Sequence, residues 1–461
     1  VESPVVVVGS GPIGAVTARR IAEAGRAVIV LESGPAISDP PGSHVRNQAR
    51  LQQEPDSYLA TISSEFTYFD ESAPPRGLPG ACVTAAVGGQ GVLWTNNCPR
   101  PTEPERGGLL SAAEWERYLG VAEGYLGVTD DTFAGSVRQQ RILDRLGPTL
   151  AAEGREIREQ PMAGHLVDIP GRSAPALRPV DAGTIHYSAT QDILAGTSVR
   201  IETGDAQRIV LDHGRVCGLQ LADGATLATS AVVVAAGAFG TPILLHRSGI
   251  RPTALGRYLT YHPVLYSQLV LDPQLCGGAD DPPPRLWIPP TTGTPWNTMV
   301  LRDTNPVPPS PPDIDLPSAQ LVEMQSFCPV DNHPDNTMAI TDGGAVHFDV
   351  PLREADHARM ASVLADQHAL ATTLGRFRTG IEPQWMTLGF AHVMGTCRMG
   401  SADDGTCVTD EFGQVWGAEN LYLATVGVIP TALAVNPTLT GAALAIRSAD
   451  RLLAGPGRPR Q

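Results

Sequence analysis

Four consecutive valines, Val5 to Val8, run straight into Gly9. An unbroken β-branched run without polar alternation marks a strand covered on both faces. Behind it Ala15, Ala18, Ile21 and Ala22 recur at helical spacing, and Gly25 ends the pattern. Val28 to Leu31 repeats the strand pattern and Glu32 closes it. Strand, helix and strand in this order predict a βαβ unit of a parallel sheet.

A polar, proline-bearing stretch then reaches about Gly80, with a short helix expected near Asn47 to Pro55. Ser111, with Glu114 three residues on, forms a capping box for a helix to about Leu126, and a second helical pattern covers Val137 to Gly154. Val199–Thr203, Ala206–Leu211, Arg215–Leu221 and Thr226–Thr229 alternate as short strands, with turns at Asp212-His-Gly214 and Ala222-Asp-Gly224. This meander leads into another buried strand, Ala231 to Ala235, a glycine turn and a helix from Pro242 to Arg247, so the chain returns to its first sheet.

Leu271 to Pro317 is dense in proline and reads as an irregular arm or lid. Strands follow at Ala319–Met324, Thr337–Thr341 and Val346–Val350, the last two joined by a turn at Gly343-Gly344, and then a helix from Arg353 to about Leu374. After a strand at Leu421–Thr425, Asn436 as N-cap and Pro437 as first helical residue open the last helix, which runs to Leu453. Its buried stripe is Leu439, Ala442, Ala443, Ile446 and Ala449, and no internal repeat appears.

At 461 residues the chain exceeds the size of one hydrophobic core, so two intertwined domains are expected. The fold class is α/β, a Rossmann-type nucleotide-binding domain with an intertwined α+β domain. With 42% hydrophobic residues and a mean hydropathy of −0.05 the composition is that of a globular protein, and no apolar run is long enough for a membrane span. The net charge of −15 argues against nucleic acid as partner. All 33 basic residues are arginine, which bears on composition and not on chemistry. The seven cysteines are odd in number and lack C-x-x-C spacing, so neither a metal site nor a disulfide framework is expected. With no basic segment and cleavage site at the start, this predicts a cytoplasmic protein.

The first βαβ unit carries the clearest chemistry. Gly9 permits the tight turn, Gly11 lets a pyrophosphate approach the backbone, and Gly14 lets helix and strand pack closely. Glu32 stands where a carboxylate accepts hydrogen bonds from ribose hydroxyls, and its charge disfavours a 2′-phosphate. A second glycine cluster, Val87-Gly88-Gly89-Gln90-Gly91-Val-Leu-Trp94-Thr95-Asn96-Asn97-Cys98-Pro99, suits either a backbone wrapped round a planar ligand or an ordinary loop. No G-x-S-x-G, H-E-x-x-H or Walker A sequence is present.

These pieces, with Ala235-Ala236-Gly237-Ala-Phe-Gly240-Thr-Pro242, Leu255-Gly-Arg-Tyr-Leu-Thr-Tyr-His262-Pro263 and Phe390-Ala-His392-Val-Met-Gly395-Thr-Cys-Arg398-Met-Gly400, resemble the glucose–methanol–choline (GMC) family of FAD-dependent oxidoreductases. The His392 motif followed by Asn436-Pro437-Thr438-Leu439-Thr440 is most similar to its pyranose 2-oxidase and bacterial glycoside 3-oxidase branch, whose members oxidise a secondary hydroxyl on a sugar ring. The likeness covers the nucleotide half well and residues 110–190 and 270–385 only loosely. It implies a GMC fold with an FAD-binding domain from 1–110, 186–270 and 388–461, and a substrate domain from 111–185 and 271–387 with the proline-rich arm 271–317.

The resemblance makes His392 the catalytic base and Asn436 its partner, where many members carry a second histidine. It puts the Thr95 hydroxyl near the flavin N5/C4a edge and implies further cofactor contacts from Gly89, Asn96, Ala236, Gly237, Pro437 and Thr438. Pyranose 2-oxidases tether the flavin through a histidine just before the Trp; Leu93 stands there, so dissociable FAD is expected. Histidine suits alcohol oxidation because its ordinary pKa of about 6.5 gives a useful base. Asn436 can donate to a developing alkoxide without competing as a base, and a helix beginning there would set positive backbone charge beside the ring as reduction adds electrons. His262, His333 and His347 read as structural, Cys397 as packing, and Gly427 and Pro430 as backbone shaping. Gln325, Asn332 and Asn336 are candidate sugar contacts, and dioxygen or a quinone-type oxidant the electron acceptor. Three alternatives stand: an alcohol on an aminoglycoside-like or other natural-product precursor as substrate, a non-redox hydroxynitrile-lyase activity, or an NAD-dependent Rossmann enzyme.

Overall fold

The computed structural model describes residues 3–48, 64–69, 77–78, 80–133, 135–166, 185–278, 281, 283–302, 316, 318–386 and 392–455. Most of the short helix expected near Asn47 to Pro55 lies outside them.

A five-stranded parallel sheet runs in the order Leu421–Leu423, Val232–Val234, Val5–Val8, Val28–Glu32, Arg200–Thr203. Numbered along the chain, this is the Rossmann order 3-2-1-4-5 read backwards, with its topological switch between Val5–Val8 and Val232–Val234. The valine run is buried on both faces, beneath the first helix, Pro12–Glu23, and the last, Thr438–Ala454. Close approach at the glycine turn is real. A Cβ on Gly9, whose φ is +106°, would lie 2.4 Å from the Ala235 carbonyl oxygen, and one on Gly14 would lie 2.1 Å from that of Gly9.

One strand and one helix assignment shift. Arg200–Thr203 is the edge of the parallel sheet, so the antiparallel meander contains only Ala206–Asp212, Arg215–Leu221 and Thr226–Ala228. The helix expected from Pro242 starts five residues earlier, at Gly237, and Pro242 lies inside it, where it gives up one backbone hydrogen bond.

A second, antiparallel sheet of seven strands contains Gly375–Phe377, Val264–Leu271, Leu321–Phe327, Asn297–Leu301, Arg285–Ile288 and Arg158–Glu159 in order, with Gln384–Met386 also pairing with Val264–Leu271. Helices Val137–Ala152 and Glu354–Leu374 pack their Ile142, Leu146, Leu150 and Leu370 on one face, against Leu269, Leu286, Val300 and Val322. Trp287, Met299, Leu301 and Phe327 point from the other face into the core shared with the parallel sheet.

The proline-rich stretch is therefore not an arm where it is described. Arg285–Ile288 and Asn297–Leu301 are fully buried paired strands, and the prolines beside them punctuate their ends. High average proline content conceals strands of four and five residues. Val264–Leu271 belongs to the seven-stranded sheet, and helix Ala112–Leu126, capped by Ser111 and Glu114 as expected, packs Trp115 and Leu119 beside Leu439 and Ala442 of the nucleotide half.

Trp287 is 0% exposed. Trp287→Ala is expected to cost about 3–5 kcal/mol in denaturant unfolding, whereas a residue on a solvent-facing arm would change stability by less than about 0.5 kcal/mol.

Candidate active site

The carboxyl ends of Val5–Val8 and Val232–Val234 open on a cavity of about 620 Å³ that continues to the second sheet. Gly9, Gly11, Gly14, Glu32, Gly89, Thr95, Ala236, Gly237, His392, Asn436, Pro437 and Thr438 all line it, drawn together from both ends of the chain. Val264, Tyr266, Gln325 and Phe327 form its far wall on the seven-stranded sheet.

Three helices begin at this cavity, at Pro12, Gly237 and Thr438, none with a side-chain cap. Their free N–H groups and positive ends favour anionic groups. Gly11 meets no side chain: a Cβ there would come no nearer to a protein atom than 3.9 Å, at the Gly88 oxygen. Packing does not demand glycine at this point, and its bare backbone is open to a phosphate. The site thus fits a pyrophosphate-bearing dinucleotide. Glu32 has a second task, since its carboxylate accepts from Ser10 N–H and Oγ (3.0 and 2.6 Å) and from Gly34 N–H (2.9 Å). Ser10 Oγ in turn accepts from Gly88 N–H at 2.7 Å, joining the two glycine loops.

Asn96 departs from expectation. It has φ +60° and is fully buried, and its Nδ2 donates to the Ala163 and Ser188 carbonyls at 2.7 and 2.8 Å. Its side chain thus braces the loop, and its neighbour Asn97 lines the cavity instead. Asn97 Nδ2 donates to Thr95 Oγ1 at 3.2 Å, while Arg285 of the second sheet donates to Asn97 Oδ1 and the Thr95 carbonyl at 2.8 and 2.9 Å. The same bracing role removes two proposed sugar contacts: Asn332 donates to the Pro430 carbonyl, and Asn336 to those of Leu259 and Asp331. Gln325 remains on the wall.

Asn436 is not the helix cap. Pro437 takes that position and Thr438 is the first helical residue. The side chain is spent elsewhere: Asn436 Nδ2 lies 3.3 Å from His392 Nε2, and Oδ1 is buried with no hydrogen-bond partner among the described residues. An orphaned acceptor at the cavity wall is suited to a ligand hydroxyl. Burial lowers the His392 pKa to about 4, leaving the imidazole neutral at neutral pH.

Two further residues shape the site without a catalytic signal of their own in the sequence. His262 is 1% exposed and stands behind His392, with Nδ1 to Nδ1 at 3.2 Å. Thr260 and Met394 exchange backbone hydrogen bonds of 3.1 and 2.9 Å as an antiparallel pair, and that register sets 262 opposite 392. Glu105 is the other: its Oε1 accepts from the Ala434 and Val435 N–H groups at 2.6 and 3.2 Å, fixing the loop that ends in Asn436. The Thr-x-x-Glu pattern of Thr102 to Glu105 signals a local cap, and nothing in it signals a partner more than 300 residues away.

The family model described as GMC oxidoreductase matches residues 188–264 and 341–445. A C-glycoside 3-oxidase of Microbacterium trichothecenolyticum is 33% identical, aligned over 97% of this chain and 96% of the relative. A pyranose 2-oxidase of Emericella nidulans is 26% identical over 98% and 92%. The solved structure of pyridoxine 4-oxidase from Mesorbium loti shares the fold, with a TM-score of 0.69 at 16% identity, covering 98% of this chain and 100% of that one. With the nucleotide crevice, the facing His392 and Asn436, and full-length similarity of this order, the chain belongs to the GMC oxidoreductase family.

Proposed function

We propose that the protein oxidises a secondary ring hydroxyl of a sugar or glycoside to a ketone, with FAD held non-covalently in the cavity. The observation that carries this reading is the pairing of His392 Nε2 with Asn436 Nδ2 at 3.3 Å on the cavity wall. Bound FAD would supply the hydride acceptor. The chain itself handles the other half of the chemistry. His392 Nε2 takes the hydroxyl proton as general base. Asn436 Nδ2 donates to the oxygen as it gains negative charge, and its unpartnered Oδ1 holds the substrate by accepting from a hydroxyl. Full-length similarity to C-glycoside 3-oxidases at 33% and 30% identity, against 24–28% for three pyranose 2-oxidases, favours position 3 of the ring over position 2. Dioxygen or a quinone takes up the two electrons in the second half-reaction. Seven free cysteines support a reducing, cytoplasmic setting.

Gly9, Gly11, Gly14 and Gly89 hold the pyrophosphate side, Glu32 the ribose, and Thr95, Ala236, Gly237, Pro437 and Thr438 the ring side. Leu93 is 5% exposed, packed with Val45 and Val92, and its hydrocarbon side chain has no atom able to form the tether. Acid precipitation of the yellow protein is therefore expected to leave all flavin in the supernatant; colour in the washed pellet would contradict non-covalent binding.

Mixing the protein anaerobically with a panel of free sugars, C-glycosides and O-glycosides and following loss of flavin absorbance tests the substrate class. Bleaching by none of them would reject it. His392→Ala is expected to slow bleaching by roughly 10²–10⁴-fold, and an unchanged rate would reject the base assignment. A base works unprotonated, so lowering the His392 pKa extends activity toward acid. The bleaching rate should stay flat from pH 8 downward and fall with a midpoint at about 4; a midpoint near 6.5 would show an imidazole of ordinary basicity.

A further inference from the structure

Three short contacts form one continuous chain of polar groups through the site. The Leu433 carbonyl meets His262 Nε2, His262 Nδ1 meets His392 Nδ1, and His392 Nε2 meets Asn436 Nδ2. The chain has a direction, and its two ends determine it. A carbonyl only accepts, so His262 Nε2 carries a hydrogen and donates it to Leu433. In a neutral imidazole the second nitrogen is then bare, so His262 Nδ1 is an acceptor. The hydrogen between the two rings must therefore come from His392 Nδ1. That leaves His392 Nε2 as a bare lone pair, which matches the other end: an amide Nδ2 only donates, and it donates to Nε2.

We infer that His262 is a positioning residue that holds His392 in the Nδ1–H tautomer and so keeps Nε2, the nitrogen on the Asn436 side, ready to take a proton. Without such a partner, imidazole in water prefers the hydrogen on Nε2, the form that cannot act as a base from that nitrogen. When His392 accepts a proton it becomes an imidazolium with hydrogens on both nitrogens, and His262 Nδ1 remains the acceptor for the one behind. His262 itself neither gains nor loses a proton. His392 packs on one side against both His262 and Phe327, with ring centroids at 5.2 and 5.4 Å, which fixes the ring's position. Burial supports the neutral state of both rings: it lowers the pKa of His262 to about 3, with His392 adding to the effect, and that of His392 to about 4. The catalytic consequence rests on His392 being the base; the tautomer itself does not.

The direct test is NMR of the oxidised, FAD-loaded protein labelled with isotopic nitrogen in histidine. Ring-nitrogen shifts separate protonated from bare nitrogens, and a His392→Gln sample assigns the signals. The expected result is His392 with a hydrogen on Nδ1 and a bare Nε2; the opposite tautomer overturns the inference. Two variants carry it into function. His262→Asn can set an amide oxygen close to where Nδ1 was, while His262→Leu fills the space without an acceptor, and both lose the contact to Leu433. Flavin bleaching should survive in His262→Asn within about tenfold and fall roughly 100-fold or more in His262→Leu with little change in KM. Equal rates in the two variants would overturn the inference. If His262→Leu does not fold or retain flavin, the wild-type tautomer and the His262→Asn rate decide. A panel in which no sugar bleaches the flavin while His392 shows the Nδ1–H form would reject the proposed substrate and leave this arrangement standing.

Discussion

A buried carboxylate holds the active-site loop in place. Glu105 is 8% exposed, and burial raises its pKa against the pull of the groups bonded to it. A carboxylate taken out of water is costly unless hydrogen bonds replace the hydration it loses. Here Oε2 accepts from Thr102 N–H and Oγ1 at 2.7 and 2.8 Å, and Oε1 accepts from the Ala434 and Val435 N–H groups. The segment between Leu433 and Asn436 has no helix or strand to satisfy its backbone, so without Glu105 those two donors would be buried and unpaired. Both ends of the polar chain through the two histidines lie on this segment, as the Leu433 carbonyl and the Asn436 amide. A single ion thus sets the position of an acceptor and a donor three residues apart.

The site also depends on how the two sheets share a core. The nucleotide crevice belongs to the parallel sheet, but Arg285 of the antiparallel sheet fixes Thr95 and Asn97, and Phe327 packs on His392. Trp287, Met299 and Phe327 belong to the same apolar cluster as Val6, Val8, Leu439 and Ala442. Removing this shared apolar surface from water holds the sheets at a fixed separation, and the cavity lies in the remaining space between them. Relative motion of the halves would disturb the Thr95 loop and the histidine pair together.

The parts of this arrangement that were legible in the sequence are those whose partners are close by or whose pattern is strict. Val5 to Val8, the glycine turn, the capping box at Ser111 and the helix after Arg353 follow from local sterics and periodicity, and the twelve cavity residues expected there share motifs with a known family. What escaped was long-range. Asn436 before Pro437 is a good cap by every local rule, yet its side chain turns to His392, because an imidazole there offers an acceptor. The motif around Asn96 implies a ligand contact, while its left-handed backbone turns the amide onto Ala163 and Ser188. His262 has no catalytic motif of its own; only the pairing of Thr260 with Met394 brings it to His392. The strands within the proline-rich stretch are only four and five residues long, too short to stand out against the prolines around them.

The choice of asparagine at 436 follows from the same electrostatics. A third imidazole at that point would add another group able to compete for the hydroxyl proton, and a proton on it would repel a charge forming on His392. The asparagine amide keeps the hydrogen-bonding capacity and removes the titration. Its Nδ2 donates in every protonation state of the site, so it marks the oxygen end of the reacting bond, and His392 Nε2 is left as the one nitrogen of the pair facing it that can accept a proton. Neutrality of His262, enforced by burial and by the adjacent His392 ring against the pull of the Leu433 carbonyl, completes the condition from behind. With His392 as the proposed base, the site separates two functions that a pair of histidines would share, with orientation on groups that do not titrate during the reaction and proton transfer on a single ring.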